Sequence, residues 1–129
     1  AKSLREVFKA KSAEMVYFDS VVNETFGVLA RRANEQRRSR EFPGLLESLT
    51  HLVAKEAITW ISFQTQRFYD EVVDLIRDTS GELNFHDGLI ALSCRLYEIR
   101  VIASFDRDFD RLAWLSRVET ADGVNVVFG

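Results

Sequence analysis

A chain of 129 residues is one domain's worth of polypeptide, and with 47% hydrophobic and 29% charged residues it carries too much apolar surface to stay disordered. Six Gly and one Pro are too few for a sandwich or barrel of many tight turns, and the lone Cys94 excludes an internal disulfide and suits a reducing cytoplasm. Lys and Arg number 17 against 20 Asp and Glu, a net charge of -3, so the molecule is not a polycation that coats nucleic acid; nor does any apolar run approach a membrane span or a leader peptide.

In chain order, Leu4, Val7, Phe8 and Ala10 recur at helical spacing and predict a first helix within residues 2–11. Met15 to Phe18 is a β-rich run that predicts a strand, after which Asp19 or Ser20 suits the cap of a helix carrying Val21, Phe26, Val28 and Leu29. Pro43 fits the first turn of the next helix, whose Leu45, Leu46, Leu49, Leu52 and Val53 predict one buried face. Ile58 to Phe63 predicts a second strand. A helix through Phe68, Val72, Val73, Leu75 and Ile76 then stops near Ser80 and Gly81, and Asn84 opens another that continues through Leu89 to Tyr97. Val101 to Ser104 predicts a third strand, Phe109 to Leu115 a short helix, and Val124 to Phe128 a last strand. Such alternation predicts one α/β domain over residues 1–129, with a mainly parallel sheet between two helical layers. Trp60, Trp114 and the phenylalanines are expected in its core.

Ligand crevices of open α/β sheets lie beyond the carboxyl ends of the strands, and here those positions are acidic. Asp19 and Glu24 follow the first strand, Asp106, Asp108 and Asp110 follow the third, and Asp87 opens the helix between. Asp19, Asp87 and Asp106 also suit helix caps, Asp87 standing three residues after Asn84. Glu24 has Ser20, Val21, Gly27 and Val28 as its helical neighbours, a face made for packing, so its carboxylate needs a partner there. A hard divalent cation, Mg2+ or Mn2+, is one arrangement that tolerates several inward acids together; His51 and His86 are isolated and form no zinc-type cluster. Metal-activated water acting on a phosphodiester is the matching chemistry. Arg31, Arg32, Arg37, Arg38 and Arg40, with Glu35 and Glu41 among them, give an eleven-residue stretch a charge of +3 against -6 for the remainder.

Three segments resemble the PIN domain, a small α/β nuclease family that includes toxins of prokaryotic toxin-antitoxin pairs. LNFHDGLIALSCRL resembles its stretch in which an aspartate opens a helix, VIASFDRDFDRL its strand ending in Thr/Ser-x-Asp-x-x-Phe, and YFDSVVNETFGVLARR its strand and helix with an inward glutamate. The resemblance implies that Glu24, Asp87 and Asp106 ligate Mg2+ or Mn2+, with Asp108 an accessory catalytic acid and Ser104 a hydroxyl beside the substrate. It also implies cleavage of single-stranded RNA and an antitoxin protein as partner; the charge of the basic stretch, for its part, leaves Arg31, Arg32, Arg37 and Arg38 either as a solvated surface or as contacts to substrate phosphate, and a homodimer is a further expected partner. Members of the family begin with a central strand ending in Asp-Thr/Ser-Asn, which has no counterpart upstream of Glu24, and the chain does not begin with Met. The expectation is a chain incomplete at its front, whose exposed strand edges close on each other, on another copy or on a strand supplied from elsewhere, Val124 to Phe128 being the spare strand. The alternative is a noncatalytic PIN-like module that binds RNA or a protein.

Overall fold

The structure, a computed structural model, describes residues 3–11 and 13–120. Its elements in chain order are α1 (Leu4–Ala10), β1 (Tyr17–Phe18), α2 (Asp19–Glu35), α3 (Phe42–Leu52), β2 (Ile58–Thr59), α4 (Thr65–Asp78), α5 (Phe85–Leu96), β3 (Val101–Ala103) and β4 (Ser116–Val118). Single 3-10 turns lie at Ser39–Glu41, Lys55–Ala57, Ser62–Gln64 and Arg107–Arg111. Helices and parallel strands do alternate. The strands, however, form two two-stranded parallel pairs, β1 with β2 and β3 with β4, in place of the single sheet that the alternation predicts. Two compact units divide the chain, one from Val16 to Phe63 and the other from the segments on either side, Ala1–Met15 and Gln64–Gly129.

In the unit of residues 16–63, Tyr17 pairs with Ile58 and Phe18 with Thr59. Phe18, Val22, Ala33, Val53 and Ile61 are its buried apolar residues. β2 is shorter than the predicted run to Phe63 because the Asp19 carboxylate accepts the backbone N–H of Ile61 at 2.6 Å and of Ser62 at 3.3 Å, turning the chain out of the strand and into a 3-10 turn. Trp60, expected in the core, stands half in solvent at this bend. Pro43 does sit in the first turn of α3, yet no α3 residue is fully buried: Leu46 and Leu49 are half-buried while Leu45 and Leu52 are exposed. α3 packs chiefly on α2 and the turn before it, and one helix covers only one side of so broad an apolar stripe.

In the other unit, α5 is the centre. Asn84 caps it as predicted, its side chain accepting the Asp87 N–H at 2.8 Å, and Gly88 to Cys94 are buried without interruption. Phe68 and Val72 of α4 are buried too, and a Cβ built on Gly88 would lie 3.0 Å from Val72 Cγ1, so glycine is what lets these two helices approach. β3 runs parallel to β4 with Val101 opposite Ser116, Ile102 opposite Arg117 and Ala103 opposite Val118. α1, started by a capping box between Ser3 and Glu6, packs Val7 and Phe8 onto Val118. Trp114 is half-buried; its indole N–H donates to the Ala91 carbonyl at 3.0 Å, and the Arg95 guanidinium lies 4.7 Å from the ring centre. The predicted helix at 109–115 is the 3-10 turn Arg107–Arg111, and β4 occupies a segment with no strand signal. The predicted strand Val124 to Phe128 lies outside the described residues.

Candidate functional site

The turn that follows β3 gathers the acids. Ser104, the first residue past the strand, continues the pairing by donating its N–H to the Val118 carbonyl at 3.0 Å. Its hydroxyl accepts the Asp106 N–H at 3.0 Å, and the Asp106 carboxylate accepts the Asp108 N–H at 2.9 Å, capping the 3-10 turn. Asp106 and Asp108 are both half-buried. Partial burial, then the negative charge and hydrogen bonding of Asp106, then the charge of Glu82, push the Asp108 carboxyl above its usual range. Arg111 opposes this, lying 3.8 Å from both Asp108 and Glu82.

Arg117 of β4 locks the same turn from beneath. Its guanidinium binds Asp110 through Nε at 3.0 Å and Nη2 at 3.1 Å, while Nη1 reaches the Ser104 carbonyl at 3.1 Å and Glu119 at 3.0 Å. A planar fork with five donors is suited to such a junction, and these bonds, the pair to Asp110 foremost, hold it in its charged form. Glu82, Arg111 and Arg117 carry no motif; only their opposite charges hinted at pairing.

The other expected site residues lie on separate elements. Asp87 is half-buried in the first turn of α5, where its N–H is bonded by the Asn84 cap as the three-residue spacing predicts. Glu24 is exposed on α2, which overturns the expectation of a packing face around it. The buried stripe of α2 runs through Val22 and Ala33, and at about 100° per residue Glu24 stands about 200° around the helix from Val22. Consistently, Val21 is exposed and a Cβ on Gly27 would meet nothing within 4 Å. Asp19 is the first residue of α2 rather than its cap, and its carboxylate clamps the bend after β2.

Arg31, Arg32, Arg37, Arg38 and Arg40 are all exposed. Arg31 follows Asp19 by twelve helical residues, about 18 Å along the axis, so the basic stretch occupies the end of α2 away from the carboxyl ends of β1 and β2. Arg38 grips both carboxylate oxygens of Glu41, which holds that carboxyl below its usual range. Arg37 has φ 57°, in the left-handed region. Burial pushes the Cys94 thiol up to about 12, which keeps it protonated at neutral pH.

The structure thus joins Asp106, Asp108 and Ser104 in one turn and adds Glu82 to them. Among the described residues no group of three or more His, Cys, Asp or Glu side chains is disposed to hold a metal ion, and no helix is long and apolar enough to cross a membrane. No protein-family model matches the sequence, and no curated protein and no solved structure matches the chain.

Proposed function

We propose that this chain is a PIN-type endoribonuclease that hydrolyses single-stranded RNA with Mg2+ or Mn2+. In the same reading it works in the cytoplasm in a three-layer α/β/α form, as a homodimer or beside an antitoxin as the toxin of a pair. One observation supports it above the others: Asp106 and Asp108 meet on a pinned turn at the carboxyl end of a parallel strand, where α/β folds place their chemistry. Half-buried carboxylates are the right donors in kind for a hard cation, though not in number, since this turn supplies two. Asp87, in the first turn of α5, is the residue of the same unit to join them, and a bound ion would supply an activated water at neutral pH. What the chain itself does is hold the turn: Ser104 and Arg117 fix its backbone, and the exposed Arg31, Arg32, Arg37 and Arg40 at the end of α2 and just past it offer charge to the RNA backbone.

The test is cleavage of labelled single-stranded RNA with Mn2+, with and without chelator, by the parent and by Asp106→Asn. Asn keeps the side-chain oxygen that caps the turn, so the fold is retained while the charge is lost. Activity should fall at least about 100-fold in the variant and vanish with chelator. Cleavage indifferent to both, or no cleavage by the parent at any Mn2+ level, removes the enzyme. The second outcome leaves the noncatalytic module that binds RNA or a protein.

A further inference from the structure

Among the described residues the most exposed large apolar side chain is Phe105, 81% accessible, in the middle of the acidic turn. Single apolar residues on a surface are ordinary, so exposure alone singles out nothing. Here the backbone on both sides is fixed. Before it, the Ser104 N–H and C=O are bound to Val118 and Arg117; after it, the Asp106 N–H is bound to the Ser104 hydroxyl and the Asp108 N–H to the Asp106 carboxylate. The turn therefore holds an aromatic ring in water with little freedom to withdraw, at a hydration cost that a polar residue would avoid. Arg107, two residues on, is exposed and makes no ion pair among the described residues, although acids stand at 106, 108 and 110.

We infer that Phe105 is a stacking platform for one unpaired nucleobase, with Arg107 meeting the adjoining phosphate, so that the acidic turn receives single-stranded rather than duplex RNA. A π-face stacks on any base and an exposed guanidinium answers any phosphate, which makes this subsite tolerant of sequence. Paired bases keep their faces buried in the helix stack, so a duplex gains nothing from the ring. The inference rests on the RNA-directed reading above but not on turnover, because stacking requires neither a third acid nor an ion.

Binding in chelator separates the two. Fluorescence anisotropy of a short fluorescein-labelled oligouridylate, and of a blunt RNA duplex, is followed with the parent and with Phe105→Ala, Phe105→Leu and Phe105→Trp. Phe105→Ala and Phe105→Leu should each weaken single-strand binding about tenfold, the weight of one stacked base, while Phe105→Trp binds as well as the parent or better and duplex affinity does not move. Equal affinity of parent and Phe105→Ala, full retention by Phe105→Leu, or no binding of the single strand by the parent overturns the inference; retention by Phe105→Leu would show that apolar bulk, not ring stacking, carries the contact. Unfolding temperatures of the variants check that the exposed substitution leaves the fold intact. Single-strand binding that depends on Phe105, without cleavage, keeps this inference and removes the nuclease, and cleavage indifferent to Phe105→Ala does the reverse.

Discussion

At the scale of single residues, the acidic turn was legible because its members are neighbours: Ser104, Asp106 and Asp108 lie within five positions, and a short segment that reverses after a strand must bring them together. Arg117 was not, since its partners Ser104 and Asp110 lie 13 and 7 residues away and meet it only once β3 and β4 pair. Asp19 shows the same limit; a carboxylate after a strand reads as a cap, whereas the amides it binds lie more than forty residues downstream. Asp108 offers a direct check on crowding. Its carboxyl is held above the ordinary range, so the native state binds the proton more readily than the unfolded chain does. Stability is unaffected below the unfolded carboxylate value and is reduced as pH rises through the native one. Asp108→Asn, melted in chelator, should therefore raise Tm at neutral pH, with the gain disappearing at acid pH. A drop in Tm at neutral pH would show that the attraction of Asp108 to Arg111 outweighs the burial and the repulsion from Asp106 and Glu82.

At the scale of elements, helix starts were more readable than helix stops. Asn84 and Pro43 announce α5 and α3 through chemistry local to the first turn. α2, α4 and α5 each end in the same reversal, with a residue in the left-handed region, joined after α4 by Gly81, and the N–H that follows it returning to the carbonyl five residues back: Arg38 to Ala33, Gly81 to Ile76 and Ile99 to Cys94. The first left-handed residue is Arg37, Ser80 or Glu98, none of them glycine, and only Gly81, at positive φ after Ser80, left a signal. A side chain in that conformation costs about 1–2 kcal/mol, against about 0.5–1 kcal/mol for the extra freedom that glycine loses on folding. Glu98 adds a negative charge at the negative end of α5. Glu98→Gly should thus stabilise the protein by about 0.5–1 kcal/mol in urea unfolding, with an unchanged m-value. β4 was illegible for another reason: Ser-Arg-Val has a single apolar residue, and what makes it a strand is the neighbouring β3.

At the scale of the molecule, alternation did announce helices with parallel strands, but not that pairing stops at two strands in each unit. The charge map was readable as a total and as a run of arginines, while its use depends on which are already engaged. Arg38 is gripped by Glu41; Arg31, Arg32, Arg37 and Arg40 are exposed and make no ion pair among the described residues. If RNA binds there, replacing those four with Gln should flatten the dependence of log affinity on log salt by up to about 3, at about 0.7 for each phosphate no longer neutralised, whereas Arg38→Gln should hardly change it. A parallel drop for all sequences would mark recognition of the RNA backbone; an unchanged slope would take the patch out of RNA binding.

The docking of α1 carries a consequence for how the chain is made. Val7 and Phe8 pack on Val118, about 110 positions later, with the whole unit of residues 16–63 intervening. At a synthesis rate of about 5–20 residues per second, the first helix waits on the order of 5–20 s for its seat to leave the ribosome, while residues 16–63 emerge complete and can fold first. α1 thus docks only after residues 16–63 and β4 have been made, and until then its apolar side is open to chaperones.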